Sequence, residues 1–246
     1  MKKIVALLLL LCLWMTLCSC GRDRAAILCV AEGAPAGQAL AAQDPSLSCA
    51  LAVSDLAALQ QLDAGSCSFA LVTAQGLSGA QTGAVQMEDV TLAAFCILSR
   101  AGGFSEWDVN TRVTVAGEQG GYGDALAQQA LTCALHGAVR YMDGQDALRA
   151  LHRGQTDVVM GLFAPQDERV AALLKAKKDA QLLSMPEGLL GVRLPDASME
   201  AYALTVQGHT AQTYALCGAL VRTADADEKV AQRVLGAAKD AGLTND

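Results

Sequence analysis

Leu59–Val72 reads Leu-Gln-Gln-Leu-Asp-Ala-Gly-Ser-Cys-Ser-Phe-Ala-Leu-Val: a helical turn, a glycine that ends it, and an apolar run too short for a helix. The same phrase returns at Asp146–Val159, where Asp-Ala-Leu-Arg-Ala-Leu-His-Arg runs into Gly-Gln-Thr-Asp and then Val-Val. A glycine after the last periodic residue is the usual helix stop. Short apolar runs without alternation fit strands of a sheet buried on both faces. Strand–helix–strand order in turn implies right-handed crossovers in a parallel sheet.

Working outward, Ala26–Ala31 and Cys49–Val53 are expected as strands before these phrases, with a helix at Leu56–Leu62 capped by Ser54 or Asp55. Phe69–Thr73 and Thr91–Leu98 are further strands, and Gly76–Asp89 between them reads as irregular. After the loop 101–110 a second set begins. Its strands are Thr111–Ala116, Val139–Met142 and Thr156–Phe163, and its helices Ala125–Leu135, Gln145–Leu151 and Gln166–Lys178. Tyr214–Val221 is a last strand and Asp225–Ala238 a last helix, with acids first and Lys239 at its end, as the helix dipole prefers. His209, in the polar stretch Gln207–Thr213, reads as surface loop.

Composition narrows the function. The chain has 246 residues, 52% of them hydrophobic and 17% charged, which excludes wholesale disorder. One long apolar run, Ile4–Leu17, follows Lys2 and Lys3. It is short for a membrane span, which needs about 20 residues, and suits a secretory signal. It ends in Leu17-Cys18-Ser19-Cys20-Gly21, which resembles the bacterial lipobox, with Cys20 as the acylated residue. Residues 1–19 are thus expected to be a lipoprotein signal peptide, and acylated Cys20 to hold the chain in the lipid bilayer on the extracytoplasmic face of the cell membrane. An ordinary signal peptide or an uncleaved anchor is the alternative. Losing Lys2 and Lys3 takes the net charge from −7 to −9, and no basic stripe points to nucleic acid. Of nine cysteines, six would remain besides Cys20; in an exported chain they suit a disulfide framework with fifteen possible pairings, while their place mostly in apolar runs favours free, buried thiols. No Cys or His spacing suits a metal, and no cofactor motif is present.

Two sets of this kind on one chain resemble the type II extracytoplasmic solute-binding proteins, and among them the TAXI receptors of TRAP transporters. Thr111–Leu135, Asp146–Val159 and Thr213–Lys239 carry the likeness, with Leu59–Val72 as the matching phrase of the first half. The resemblance implies a two-lobed, periplasmic-binding-protein-like α/β fold, each lobe a βαβ sheet flanked by helices. Lobe 1 would comprise 20–99 with 213–246 and lobe 2 100–212. It implies a lipoprotein that captures a small, anionic organic solute for a TRAP-type membrane permease and catalyses nothing. An interaction or structural lipoprotein that keeps the scaffold and has lost its ligand is the second reading, since only Gln38–Gln43 remains of the family's first long helix before Asp44-Pro45.

Ligands in such sheets meet the carboxyl ends of strands and the free amides of helix N-termini. The candidate contacts are therefore Gly33, Thr73, Gln75, Arg100, Gly120, Gly121, Tyr122, Gly123, Gly161 and Phe163. Gly120–Gly123 either offers amides to a carboxylate or is a plain glycine turn capped by Asp124. Arg100 either pairs with a carboxylate or is a solvated residue at the hinge. Trp107 and Phe104 either cover the mouth of the crevice or pack beneath their own loop.

Overall fold

A computed structural model describes residues 26–31, 34–176, 180–190 and 198–244. Cys20 and Gly33 lie outside them, so the lipobox and one candidate ligand contact have no structural account.

The first half opens with β1 (Ala26–Val30), α1 (Ala34–Gln43), β2 (Leu47–Leu51), α2 (Asp55–Asp63), β3 (Phe69–Thr73) and a single-turn α3 (Ala74–Ser78). The second half holds β5 (Val113–Ala116), α4 (Tyr122–Leu131), β6 (Val139–Met142), α5 (Gly144–His152), β7 (Val158–Phe163) and α6 (Glu168–Lys175). Between them runs β4 (Val85–Ser99). The short β8 (Gln181–Leu183), β9 (Met199–Val206), β10 (His209–Arg222) and α7 (Glu228–Asp240) complete the described chain.

The strands form one mixed sheet in the order β2-β1-β3-β10-β4-β7-β5-β6, with β8 on β4 and β9 on β10. Two strands belong to both halves. The first part of β4 lies beside β10, and its last part, Ala94–Ser99, pairs with β7. The first part of β10 pairs with β9, and its last part, Gly218–Arg222, pairs with β3. The protein is thus a two-lobed α/β body joined by long strands that cross its waist.

Each half is covered on both faces, which is why β3 is buried at every residue and β5 likewise. In the first half, α1 and α7 cover a core around Leu28, Leu71, Leu92 and Leu220, and α2 covers the opposite face around Cys29, Ala70 and Val72. In the second, α5 and α6 lie over Leu98, Val159 and Phe163, while α4 and Trp107 cover Phe95, Ile97, Val115 and Met160. Helix starts follow the side chains that cap them: Ser54 Oγ accepts from Ala57 N, and Asp143, Asp167 and Asp227 do the same for α5, α6 and α7.

Several elements differ from the sequence expectation. Val85–Asp89 belongs to β4 rather than to an irregular stretch: it is mostly exposed and polar, but pairing with Ala219–Arg222 extends the strand. His209–Thr213 is strand, not loop, because β9 and β10 form a hairpin with one wet face. Its two-residue turn, Gln207-Gly208, has positive φ at both positions, as tight hairpins require. The first helix is longer than the Gln38–Gln43 remnant: it starts at Ala34, with Pro35 in the first turn, where its missing N–H costs nothing.

Candidate functional site

Register fixes where a ligand would meet this fold. Thr73, the last residue of β3, stands opposite Gly218, and Phe163, the last of β7, opposite Ala94. The carboxyl ends of β3 and β7 therefore face one another across the waist, from opposite lobes. At the waist β10 slips register against β4 between Leu216 and Cys217.

On the second lobe the structure brings Gly120, Gly121, Tyr122, Gly123 and Gly161 together. Ala116 O and Gly161 Cα each lie 3.7 Å from where a Gly123 Cβ would sit. A Cβ on Gly161 would come within 2.7 Å of both Ala116 Cβ and Ala116 O, so close strand approach accounts for that glycine. The Gly120 amide donates to Asp124 Oδ2 at 2.8 Å, while Asp124 Oδ1 accepts from Gln128 Nε2 at 3.1 Å and Tyr141 OH at 3.0 Å. Burial raises the Asp124 carboxyl, but these three donors outweigh it and hold the group below its usual range. The turn thus serves its own aspartate. Tyr122 and Leu162, with Met199, pack against the core of the first lobe.

On the first lobe, Thr73 is buried and caps α3: its Oγ1 donates to Asp55 Oδ2 at 2.5 Å and accepts from Gly76 N at 2.9 Å. The Gln75 amide donates to Ser198 Oγ at 2.8 Å, so the chain entering β9 already lies over this loop.

The remaining candidates are elsewhere. Phe163 is 2% exposed and sits in the core beneath α5, 3.4 Å from a Cβ placed on Gly144. Arg100 follows the far end of β4, level with the start of β7, and its Nη1 donates to Leu151 O at 2.9 Å at the end of α5. It sits at the outer pole of the lobe and not at the waist. Trp107 is buried against Phe104 with ring centroids 4.5 Å apart, and its Nε1 donates to Gly102 O. That pair packs beneath its own loop.

A cavity of about 590 Å³ lies between the lobes, which sequence reasoning did not locate. Gln38 and Gln43 of α1 and Asp240 at the end of α7 line it from the first lobe. Gln166, Asp167, Glu168 and Arg169 of the β7–α6 turn and Thr205 and Gln207 of the β9–β10 hairpin line it from the second. Asp167 caps α6 and also binds the Arg169 guanidinium through Nε, at 3.0 Å, and Nη2. The signal missed was the C-terminal half of α1, which reads in sequence as a helix remnant. Among the described residues no group of His, Cys, Asp and Glu could hold a metal ion, and no helix is long and apolar enough to cross a membrane.

No protein-family model matches the chain, and no curated protein matches it. Among solved structures it is similar to an ABC transporter protein from Parabacteroides distasonis, at 11% identity over 89% of this chain and 72% of that one, with a TM-score of 0.47. The periplasmic aliphatic sulphonate binding protein SsuA from Escherichia coli is 17% identical over 89% of this chain and 68% of its own, with a TM-score of 0.41. Full-length OxyR from Pseudomonas aeruginosa is 10% identical over 98% of this chain and 75% of its own, with a TM-score of 0.46. At these scores the likeness decides nothing, and the fold rests on strand order and the crossing of β4 and β10.

Proposed function

We propose that this chain is an extracytoplasmic solute-binding lipoprotein that closes its two lobes on a small polar molecule. The observation that carries the reading is the cavity between α1 and the turn that follows the carboxyl end of β7, lined from both lobes. Lobe 1 would comprise 20–99 with 213–246, and lobe 2 100–212, so that the crossing strands serve as the hinge. Acylated Cys20 would hold the chain at the membrane. There it would pass its cargo to a permease, of the TRAP type that the resemblance to TAXI receptors implies. No step requires covalent chemistry.

The lining bears on the cargo. Asp167, Glu168 and Asp240 stand against Arg169 alone, whose guanidinium Asp167 already holds. Such a lining favours a neutral or cationic polar solute over the anion expected from sequence. Thermal unfolding of residues 21–246 against a panel of sugars, amino acids, amines and dicarboxylates tests the reading. A saturable rise in Tm with one class supports it.

One observation favours the second reading, an interaction lipoprotein without a ligand. Tyr122, Leu162 and Met199 fill part of the crevice, and the amides of Gly120 and Gln75 are bound by the chain's own side chains. No rise in Tm anywhere in the panel would decide for it, as would the absence of permease genes beside this one.

A further inference from the structure

At the edge of the first lobe, β2 has β1 on one side and no strand on the other among the described residues. The Ala52 amide donates to Val30 O at 2.7 Å, so Ser48, Ala50 and Ala52 turn their backbone groups toward β1. The N–H and C=O of Cys49 and Leu51 therefore point away from the sheet. Such a row is a template for another strand, and proteins usually blunt it with charge, proline or a bulge. None of these interrupts β2. It reads Leu-Ser-Cys-Ala-Leu, and no charged residue stands between Asp44 and Asp55. By contrast β6, at the other end of the sheet, carries Arg140, and β9 carries Glu200.

The side chains add apolar surface to this edge. Leu51 is 75% exposed and Val53 95%, and Leu56 is exposed just beyond them. The flanking acids are engaged elsewhere: Asp44 binds Arg233, and Asp55 is buried against Thr73.

We propose that β2 is the contact through which two copies of this chain pair, antiparallel about a two-fold axis at Ala50. This register uses only free backbone groups, since the Leu47 amide already donates to Asp44 O at 2.9 Å. Cys49 and Leu51 of each copy exchange their N–H and C=O with Leu51 and Cys49 of the other. Leu51 then packs beside Cys49 of the second copy, and Val53 reaches toward its Leu47. A second copy suits this edge because the contact is self-complementary and the chain has a net charge of −7. Two acidic molecules meet where neither carries a charge, whereas a charged partner finds no counter-charge there. One strand edge with a few aliphatic side chains falls at or below the low end of specific interfaces, about 1,200 Å². The pairing is accordingly weak and reversible. No residue from Leu47 to Leu56 lines the cavity, so the pairing stands apart from whichever solute the crevice takes.

Sedimentation equilibrium of residues 21–246, which hold every described element, tests the proposal. The average mass should rise from one chain toward two as concentration enters the high micromolar range. Leu51→Lys should hold it at one chain, while Leu135→Lys, at an exposed leucine of the second lobe, should not. If circular dichroism shows Leu51→Lys to be unfolded, Val53→Lys takes its place. A bismaleimide with a short spacer should join Cys49 to Cys49 of the second copy, both in this fragment and in the full chain in membranes. Cys133→Ser removes the other exposed thiol and should keep the link. A mass of one chain at every concentration overturns the proposal. So does a dimer that survives the lysine at the edge, or a cross-link that runs through Cys133 alone.

Discussion

Asp124 reaches back four residues to take the Gly120 amide, and this one bond makes the glycine turn at the mouth of α4 a closed unit. The carboxylate also accepts from Gln128 and Tyr141 and is 8% exposed. Its pKa is lower in the folded chain than in the unfolded one. It therefore contributes stability that is present above the unfolded value, near 4, and is lost as pH falls through the folded one. Asp124→Asn should cost about 1–3 kcal/mol in urea unfolding at pH 7. The difference from wild type should shrink below about pH 4, where the natural carboxyl also takes a proton.

Gly218 marks the place where β10 leaves the second lobe for the first. A Cβ there would run into the Val72 carbonyl oxygen and the Leu92 side chain, and the backbone oxygen has nowhere to go. Gly218→Ala should cost about 1–3 kcal/mol. Gly236, inside α7, has nothing within 4 Å of its missing Cβ, so Gly236→Ala should instead stabilise by about 0.5–1 kcal/mol. Thermal unfolding of the two variants checks both signs.

The elements legible in sequence were those whose signal is local. Phe69–Thr73 stands as read, because an apolar run between a glycine stop and a polar turn leaves little choice. Ser54, one of the two caps read for α2, announces that helix by capping it. What escaped was non-local. Val85–Asp89 is strand only because Ala219–Arg222 lies beside it, and His209–Thr213 only because β9 folds back on it. The site suffered more, since a loop after a strand shows in sequence but the partner of its amide does not. Nothing near Gln75 in the chain points to Ser198, nor anything near Arg100 to Leu151.

Arg100 offers a direct check of placement. Its guanidinium is bound to the carbonyls that end α5, at the outer pole of the lobe. Arg100→Ala should cost about 0.5–1.5 kcal/mol of stability, as loss of a hydrogen bond at a helix end does. It should leave the affinity for any solute found in the panel unchanged, which isothermal titration would show. A large loss of affinity with unaltered stability would place Arg100 at the ligand after all.

The contact that decides how the lobes move is the wedge of Tyr122, Leu162 and Met199 on the core of the first lobe. Leu162 and Met199 also pack on the core of the second, so these side chains bridge the two. Apolar area buried between lobes opposes opening, while the register slip at Leu216–Cys217 leaves the crossing strands a place to bend. Tyr122→Ala removes a partly buried ring and should cost about 1–2 kcal/mol. In small-angle scattering it should also enlarge the radius of gyration of the unliganded chain, by freeing the second lobe to swing. Binding of a solute in the cavity should restore the compact value, because a ligand that touches both lobes favours the closed state by its differential affinity. A Tyr122→Ala protein as compact as wild type would mean that the crossing strands alone hold the lobes together.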